Sequence, residues 1–570
     1  MHDIVIRGGL VVDGTGAPAF EGDVAIENGK LVAVGGSVGA GREEIDARDR
    51  IVTPGWVDIH SHYDGQVTWD PYVSPSGFHG VTTTVMGNCG VGFAPARPDS
   101  HDHLINVMEG VEDIPGTALH EGMRWGWESF PQYLDVLEAM PRVMDIAAQV
   151  PHSAVRDYVM GDRGATRAAA NADHVEAMAR IVEQALRAGA IGFSTSRTKL
   201  HLAADGSAVA GSFADSTELL AIGHAMARAG HGVFQMVSDL VDPEAEFAWM
   251  EQLARQHGVP VHYILVQFEE QPDKWRQLLA MTRRAAEGGA DITALVGCRP
   301  VGMLINLESR YHPFSEHPSY RAIAHLPLEA RIEALRQPAL RARLLAEETT
   351  STNRFWRTRM AHFHNMFQLG DPPDYEPPPE RSVEAIARAS GRRPEEIVLD
   401  ILTGQGGRDW LYFPFINYAD RSLQPLYDMM RHPHTLLSLA DGGAHCGLIC
   451  DASAPSFLLS HWARDRRRGP LLGLEEAVAL QSSRGAAAYG LVDRGRLTAG
   501  LRADVNVIDF NKLRLEPPRW AHDLPAQGRR LLQHATGYDA TIAAGVVTWR
   551  HGEATGALPG RLIRAGRDAA

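Results

Sequence analysis

The sequence predicts an α/β protein, a (β/α) barrel carrying a small sheet built from the two ends of the chain. Three observations lead there. The middle of the chain alternates apolar β-rich runs with helically spaced stretches, the pattern of a parallel sheet flanked by helices. The unit recurs often enough to favour closure into a barrel over an open sheet. Both ends read instead as short strands broken by tight turns. The expected division is a small β domain from residues 1–54 and 490–570, and a barrel over 55–489 with an insertion or lid at about 300–380.

Taken in order, residues 4–6, 10–12, 24–26 and 31–34 are strands, and Asn28-Gly29 between two apolar runs is a hairpin signal. The apolar run 51–57 reads as a buried strand that continues into Asp58, His60 and His62, which a period of 2 places on one side. Residues 80–86 form a strand ending at Gly87, Asn88, Cys89 and Gly90. Helical spacing over 174–188 leads into a strand beginning near 189. Helix 218–229 leads into strand 232–237, helix 247–257 into strand 259–266, and helix 275–288 into strand 292–296. Residues 300–380 break this rhythm and end in a proline-rich tract at 371–379, which reads as an extended connector. Strand 435–440 then delivers Asp441, a helix follows at 475–481, and residues 504–509 and 538–549 return to strands.

The composition excludes several classes of function. A chain of 570 residues that is 44% hydrophobic and 22% charged is globular and long enough for a large core. A net charge of -15 disfavours nucleic acid or an anionic membrane as partner. Cys89, Cys298, Cys446 and Cys450 are too few for a disulfide scaffold. The first residues lack a basic segment followed by an apolar one, and no apolar run is long enough to span a bilayer. The expectation is a cytoplasmic protein acting on a small molecule.

His60 and His62, Cys89, and Asp441 each fall at the C-terminal end of an expected strand, and in a barrel those ends form the active face. Imidazole, thiolate and carboxylate together favour zinc over magnesium or calcium. Singly, each residue has an ordinary structural use: Cys89 as a small buried apolar group, Asp441 as a turn residue or cap. Together they favour a metal site of His60, His62, Cys89 and Asp441, with Asp441 as the proton shuttle for metal-activated water.

These residues carry a resemblance. The chain resembles the amidohydrolase superfamily and, within it, the N-acyl-D-amino-acid deacylase (D-aminoacylase) branch. The opening strands through Asp58, His60 and His62 look like that family's first sheet and first barrel strand. The segment Gly87, Asn88, Cys89, Gly90 looks like the one carrying the deacylases' bridging cysteine, and Asp441-Gly442 matches the catalytic aspartate of the last barrel strand. The resemblance implies a distorted TIM (β/α)8 barrel with a composite β-sandwich domain from both chain ends. It also implies zinc-dependent cleavage of an acyclic amide C–N bond, with self-association into a homo-oligomer. The substrate class is an N-acyl (D-)amino acid or a similar N-acyl compound.

One departure bears on the metal count. The deacylases take further histidine ligands from two middle strands. Here the first of these strands holds Gln235 and no histidine, and the second holds His262 only at its start, with Gln267 nearer its end. One zinc ion is therefore favoured over two. Gln235 and Gln267 become candidates to hydrogen-bond substrate or water, and Arg197 and Arg299 candidates for a substrate carboxylate. His445 is a candidate to extend the site. Two other readings stand beside the deacylase: a hydrolase of cyclic amides or lactones in the same superfamily, and a catalytically silent binding relative.

Overall fold

The computed structural model describes residues 1–164, 166, 168–350, 352 and 354–566. Eight parallel strands form one curled sheet whose spatial order follows the chain. They are Trp56–Asp58, Val81–Met86, Asp145–Pro151, Gly192–Arg197, Val233–Ser238, Val261–Ile264, Ile292–Val296 and Thr435–Leu437. The strands are apolar because helices cover them; Val81–Met86 is buried at every position. The first and last strands are not paired as strands. Just beyond their ends, Ser61 bridges Gly442 in parallel. The Asp441 N–H donates to the His60 carbonyl at 3.1 Å, and the His62 N–H to that of Gly442 at 2.7 Å. The two edges of the sheet therefore meet at residues 60–62 and 441–442.

The helices start earlier than their apolar spacing predicts. Ala172–Ala188, Ser216–Ala229 and Pro243–His257 are capped by the side chains of Asn171, Asp215 and Asp242. Apolar periodicity begins only where a helix meets the core, whereas the cap sets where hydrogen bonding begins.

Two expected strands are interrupted. The run 51–57 divides at Gly55: Ile51–Pro54 pairs antiparallel with Val505–Ile508, and Trp56–Asp58 enters the parallel sheet. A Cβ at Gly55 would lie 2.2 Å from Thr82 Oγ1, so the close crossing of the two sheets requires glycine. His60 and His62 consequently lie past the end of a strand and not on one. The last strand stops at Leu437 because Leu439 and Asp441 take left-handed backbone, with φ of 61° and 46°.

Strands from both ends of the chain join in one nine-stranded sheet. Asn28 and Gly29 turn the hairpin of Phe20–Glu27 and Lys30–Val34 with φ of 49° and 75°. Ile6, Val24, Val505, Val507 and Ile542 share its apolar cluster. Between residues 300 and 413 lies a separate apolar cluster, including Ile305, Leu335, Val398 and Phe413. It packs the helices Leu328–Arg336, Pro338–Ala346 and Pro394–Thr403 against a three-stranded sheet. The proline-rich tract is no free connector: Tyr375 and Glu376 are both 3% exposed, and Glu376 accepts hydrogen bonds from Arg466. No helix among the described residues is long and apolar enough to cross a membrane.

Candidate metal centre

Where the sheet edges meet, the backbone leaves regular structure and turns side chains inward. Asp58 Oδ1 accepts the His60 N–H at 3.0 Å, which directs the chain after the first strand. His60 and His62 are each 1% exposed, and their rings lie edge to face with centroids 5.3 Å apart. Cys89 sits at φ 56° between Gly87 and Gly90, which also have positive φ. Asn88 holds this loop by donating to the carbonyls of Ser61 and Val85, while Gln149 donates to Asn88 Oδ1.

The ligand atoms of His60, His62 and Cys89 all lie within 4.8 Å of one another. Cys89 Sγ is 3.3 Å from His60 Nε2. Asp441 Oδ1 is 3.3 Å from His60 Nε2 and 3.9 Å from His62 Nε2. A further acid enters from the last residue of helix His101–Glu112. Glu112, 2% exposed, places Oε1 3.2 Å from His62 Nδ1 and Oε2 3.9 Å from His445 Nε2.

Cys89 and His60 are hydrogen-bonded, but the contacts of Asp441 and Glu112 with the imidazoles are close without being aligned as hydrogen bonds. Asp441 Oδ1, Glu112 Oε1, His62 Nδ1 and Gln235 Nε2 are buried with no hydrogen-bond partner among the described residues. Leaving one such atom unpaired costs about 1–3 kcal/mol, so Asp441 Oδ1 and Gln235 Nε2 mark places for bound ligands, while Glu112 Oε1 and His62 Nδ1 face each other at 3.2 Å. The charges agree. Burial pushes the Asp441 and Glu112 carboxyls and the Cys89 thiol well above their ordinary values. The neighbouring carboxylates add to this: Asp451 and Asp58 for Asp441, Asp441 and Asp64 for Glu112, and Glu112 and Asp441 for Cys89. Burial pushes His60 down to about 3 and His62 well below its usual value, which leaves both imidazoles neutral. Neutral imidazoles and crowded buried acids form a donor set that a divalent cation would stabilise. The residues present therefore fit a metal of the zinc type.

Gln235 lies in this group, its Oε1 accepting the Cys89 N–H at 3.2 Å. His445 borders it, with a side chain 27% exposed. The other candidates lie elsewhere or are already engaged. Arg197 pairs with Glu246 at 2.7 Å. Gln267 donates to Pro272 and accepts from Ala419, serving its own loop. Arg299 is 4% exposed and donates to Asp451, Ser453 and the Cys450 carbonyl, with its guanidinium 4.3 Å from the Tyr375 ring centre. His262 faces the opposite end of the strands, in a cavity of about 730 Å³ that Ile191, Val233 and Tyr489 also line. That cavity holds none of the clustered acids and not the thiol.

Glu112 and His201 are neighbours of the site that sequence patterns do not reveal. His201, 3.0 Å from Ser196 Oγ through Nδ1, is close enough to help push down both His60 and His62. Glu112 ends an ordinary amphipathic helix, where a carboxylate reads as a surface residue. Its only sequence signal is position, on the segment that follows Cys89.

The chain is similar to known proteins along nearly its whole length. The amidohydrolase family profile matches residues 43–553. An uncharacterised protein of Mycobacterium tuberculosis is 26% identical over 615 aligned residues, covering 99% of this chain and 96% of that protein. A D-aminoacylase of Alcaligenes xylosoxydans xylosoxydans is 33% identical over 194 residues, 34% of this chain and 37% of that one. Among solved structures, a D-aminoacylase matches with a TM-score of 0.64 at 22% identity, covering 99% of this chain and 100% of that chain. An N-acyl-D-glutamate deacylase of Bordetella bronchiseptica, solved with zinc and a phosphonate inhibitor, matches with the same TM-score, identity and coverage.

Proposed function

Because the chain belongs to the amidohydrolase family, and so is a hydrolase of carbon–nitrogen bonds other than peptide bonds, we propose that it deacylates an N-acyl amino acid. On this reading one zinc is held by His60, His62, Cys89 and Asp441. The observation that carries it is the approach of the His60, His62 and Cys89 ligand atoms to within 4.8 Å of one another, with the unpartnered Asp441 Oδ1 3.3 Å from His60 Nε2. The deacylases among the relatives support the choice of substrate class. Gln235 on the fifth strand, and His262 turned to the far end, support one ion. The eight-stranded sheet is then the family's distorted barrel, and the nine-stranded sheet belongs to a composite β-sandwich domain.

A zinc ion bound there supplies a Lewis acid that polarises the amide carbonyl and makes water more acidic. Asp441 takes the proton of the attacking water at a carboxylate oxygen and returns it to the leaving nitrogen. His60 and His62, kept neutral by burial, present lone pairs at neutral pH. The Gln235 amide, anchored by the Cys89 N–H, leaves its Nε2 donor for the substrate.

The test is a panel of N-acyl D- and L-amino acids together with cyclic amides and lactones, run beside elemental analysis. His60→Ala/His62→Ala should lose about one zinc per chain relative to the native protein, turnover of an N-acyl amino acid is expected, and Asp441→Asn should lower kcat/KM by about 10²–10⁴-fold. Unchanged turnover in Asp441→Asn, or turnover of cyclic amides alone, refutes the assignment.

A further inference from the structure

We propose a second metal site, separate from the first, where a zinc-type cation ties residues 362–364 to the loop after the sixth strand of the parallel sheet. Glu269, His362 and His364 each offer one ligand atom, and the three atoms lie within 4.8 Å of one another. His362 and His364 flank Phe363 at the start of a 3₁₀ turn, with ring centroids 5.3 Å apart. His364 Nε2 lies 3.1 Å from Glu269 Oε1. His362 Nδ1 is buried with no hydrogen-bond partner among the described residues. Two imidazoles and one carboxylate are a zinc donor set that leaves a fourth position to water.

The ordinary alternative is an ion-pair network. Arg421 lies 2.7 Å from Glu269 Oε1, and Arg359 lies 3.3 Å from Glu270. That network leaves one feature unexplained. Among the described residues it gives the buried His362 Nδ1 nothing to bind. A cation held by the Glu269 carboxylate and the two imidazoles would account for it.

Placement gives the site a purpose. Glu269 follows the C-terminal end of the sixth strand, on the same face of the sheet as Asp441. His362 and His364 belong to the part of the chain with its own apolar cluster, against which Met360 and Phe363 pack. A metal here would clasp that cluster to the rim of the face bearing the first site. The inference does not depend on the deacylase reading, because it uses none of its residues.

The experiment is zinc titration of the chelator-stripped full chain against a chromogenic competitor. His60→Ala/His62→Ala should still bind about one zinc, and adding His364→Ala should abolish that binding. Glu269→Gln, a milder change, should weaken it at least 10-fold. Zinc should also slow limited proteolysis between residues 300 and 380 in His60→Ala/His62→Ala, and not once His362→Ala/His364→Ala is added. Circular dichroism checks that each variant is folded. Equal zinc binding with and without His364→Ala, or none in His60→Ala/His62→Ala, overturns the proposal. Loss of zinc only on removing His362 and His364 supports the clasp and refutes the first site.

Discussion

At the scale of single residues, Glu112 is the group whose role is most open to measurement. Its Oε1 faces His62 Nδ1 at 3.2 Å, while His62 Nε2 faces Asp441. A carboxylate behind an imidazole fixes the ring and raises its basicity, and losing such a partner typically costs 10–100-fold in metal affinity. Glu112→Gln keeps the shape and removes the charge. We expect a zinc affinity lower by about 10–100-fold in a competition titration, with unfolding by urea little changed. Unaltered affinity would reduce Glu112 to a filler of the helix end. His60, His62, Cys89 and Asp441 are legible in the sequence because each is a ligand type placed just after an apolar run. Glu112 is not, because nothing local separates a carboxylate that turns inward from one that faces water.

At the scale of elements, the helices His152–Met160 and Ser216–Ala229 are joined to the fourth strand by one buried carboxylate. Glu218 Oε1 is 2.8 Å from His152 Nε2, and Arg156 donates to its other oxygen. His152 Nδ1 reaches Thr195 Oγ1 at 2.8 Å. Burial raises the Glu218 carboxyl, but the bonds from His152 and Arg156 outweigh it and hold the group at about 2, below its usual 4.5. A depressed carboxylate stabilises the fold fully above about pH 4.5 and loses that contribution as the pH falls toward 2. Unfolding free energies measured across this window should drop in the native chain and drop less in Glu218→Gln. Glu218→Ala, which leaves Arg156 buried and unpaired, should cost about 3–5 kcal/mol at neutral pH. An identical acid profile in both proteins would refute this linkage. Glu218 reads in sequence as an acid favoured in a first helical turn, and its partner residues lie more than 60 positions away.

At the scale of the molecule, the proposed metal centre lies on the seam of the parallel sheet. His60 and His62 follow its first strand and Asp441 its last, and only a few backbone contacts join the two edges. A cation bound across the seam stabilises the folded chain by mass action, about 2.7 kcal/mol at 100 times Kd. Removing metal with a chelator should therefore lower Tm by several degrees, and zinc should restore it. His60→Ala/His62→Ala should abolish most of that response. A Tm indifferent to chelator in the native chain would show that the seam holds without metal.

The sequence by itself determines the alternation of strands and helices, the hairpin at Asn28-Gly29 and the strand-rich character of both chain ends. Period, turn chemistry and apolar content are local properties that nearby residues settle. It also determines which residue types stand at the strand ends. Only the tertiary structure decides the rest. Gly55 splits an unbroken apolar run between two sheets because Thr82 leaves no room for a side chain there. The arginines and Gln267 take up local partners. Glu112 turns inward to His62, and Glu269 meets two histidines from about 95 residues further along the chain. Each of these depends on which distant segment fills the space around a side chain, and no periodicity in the chain encodes that.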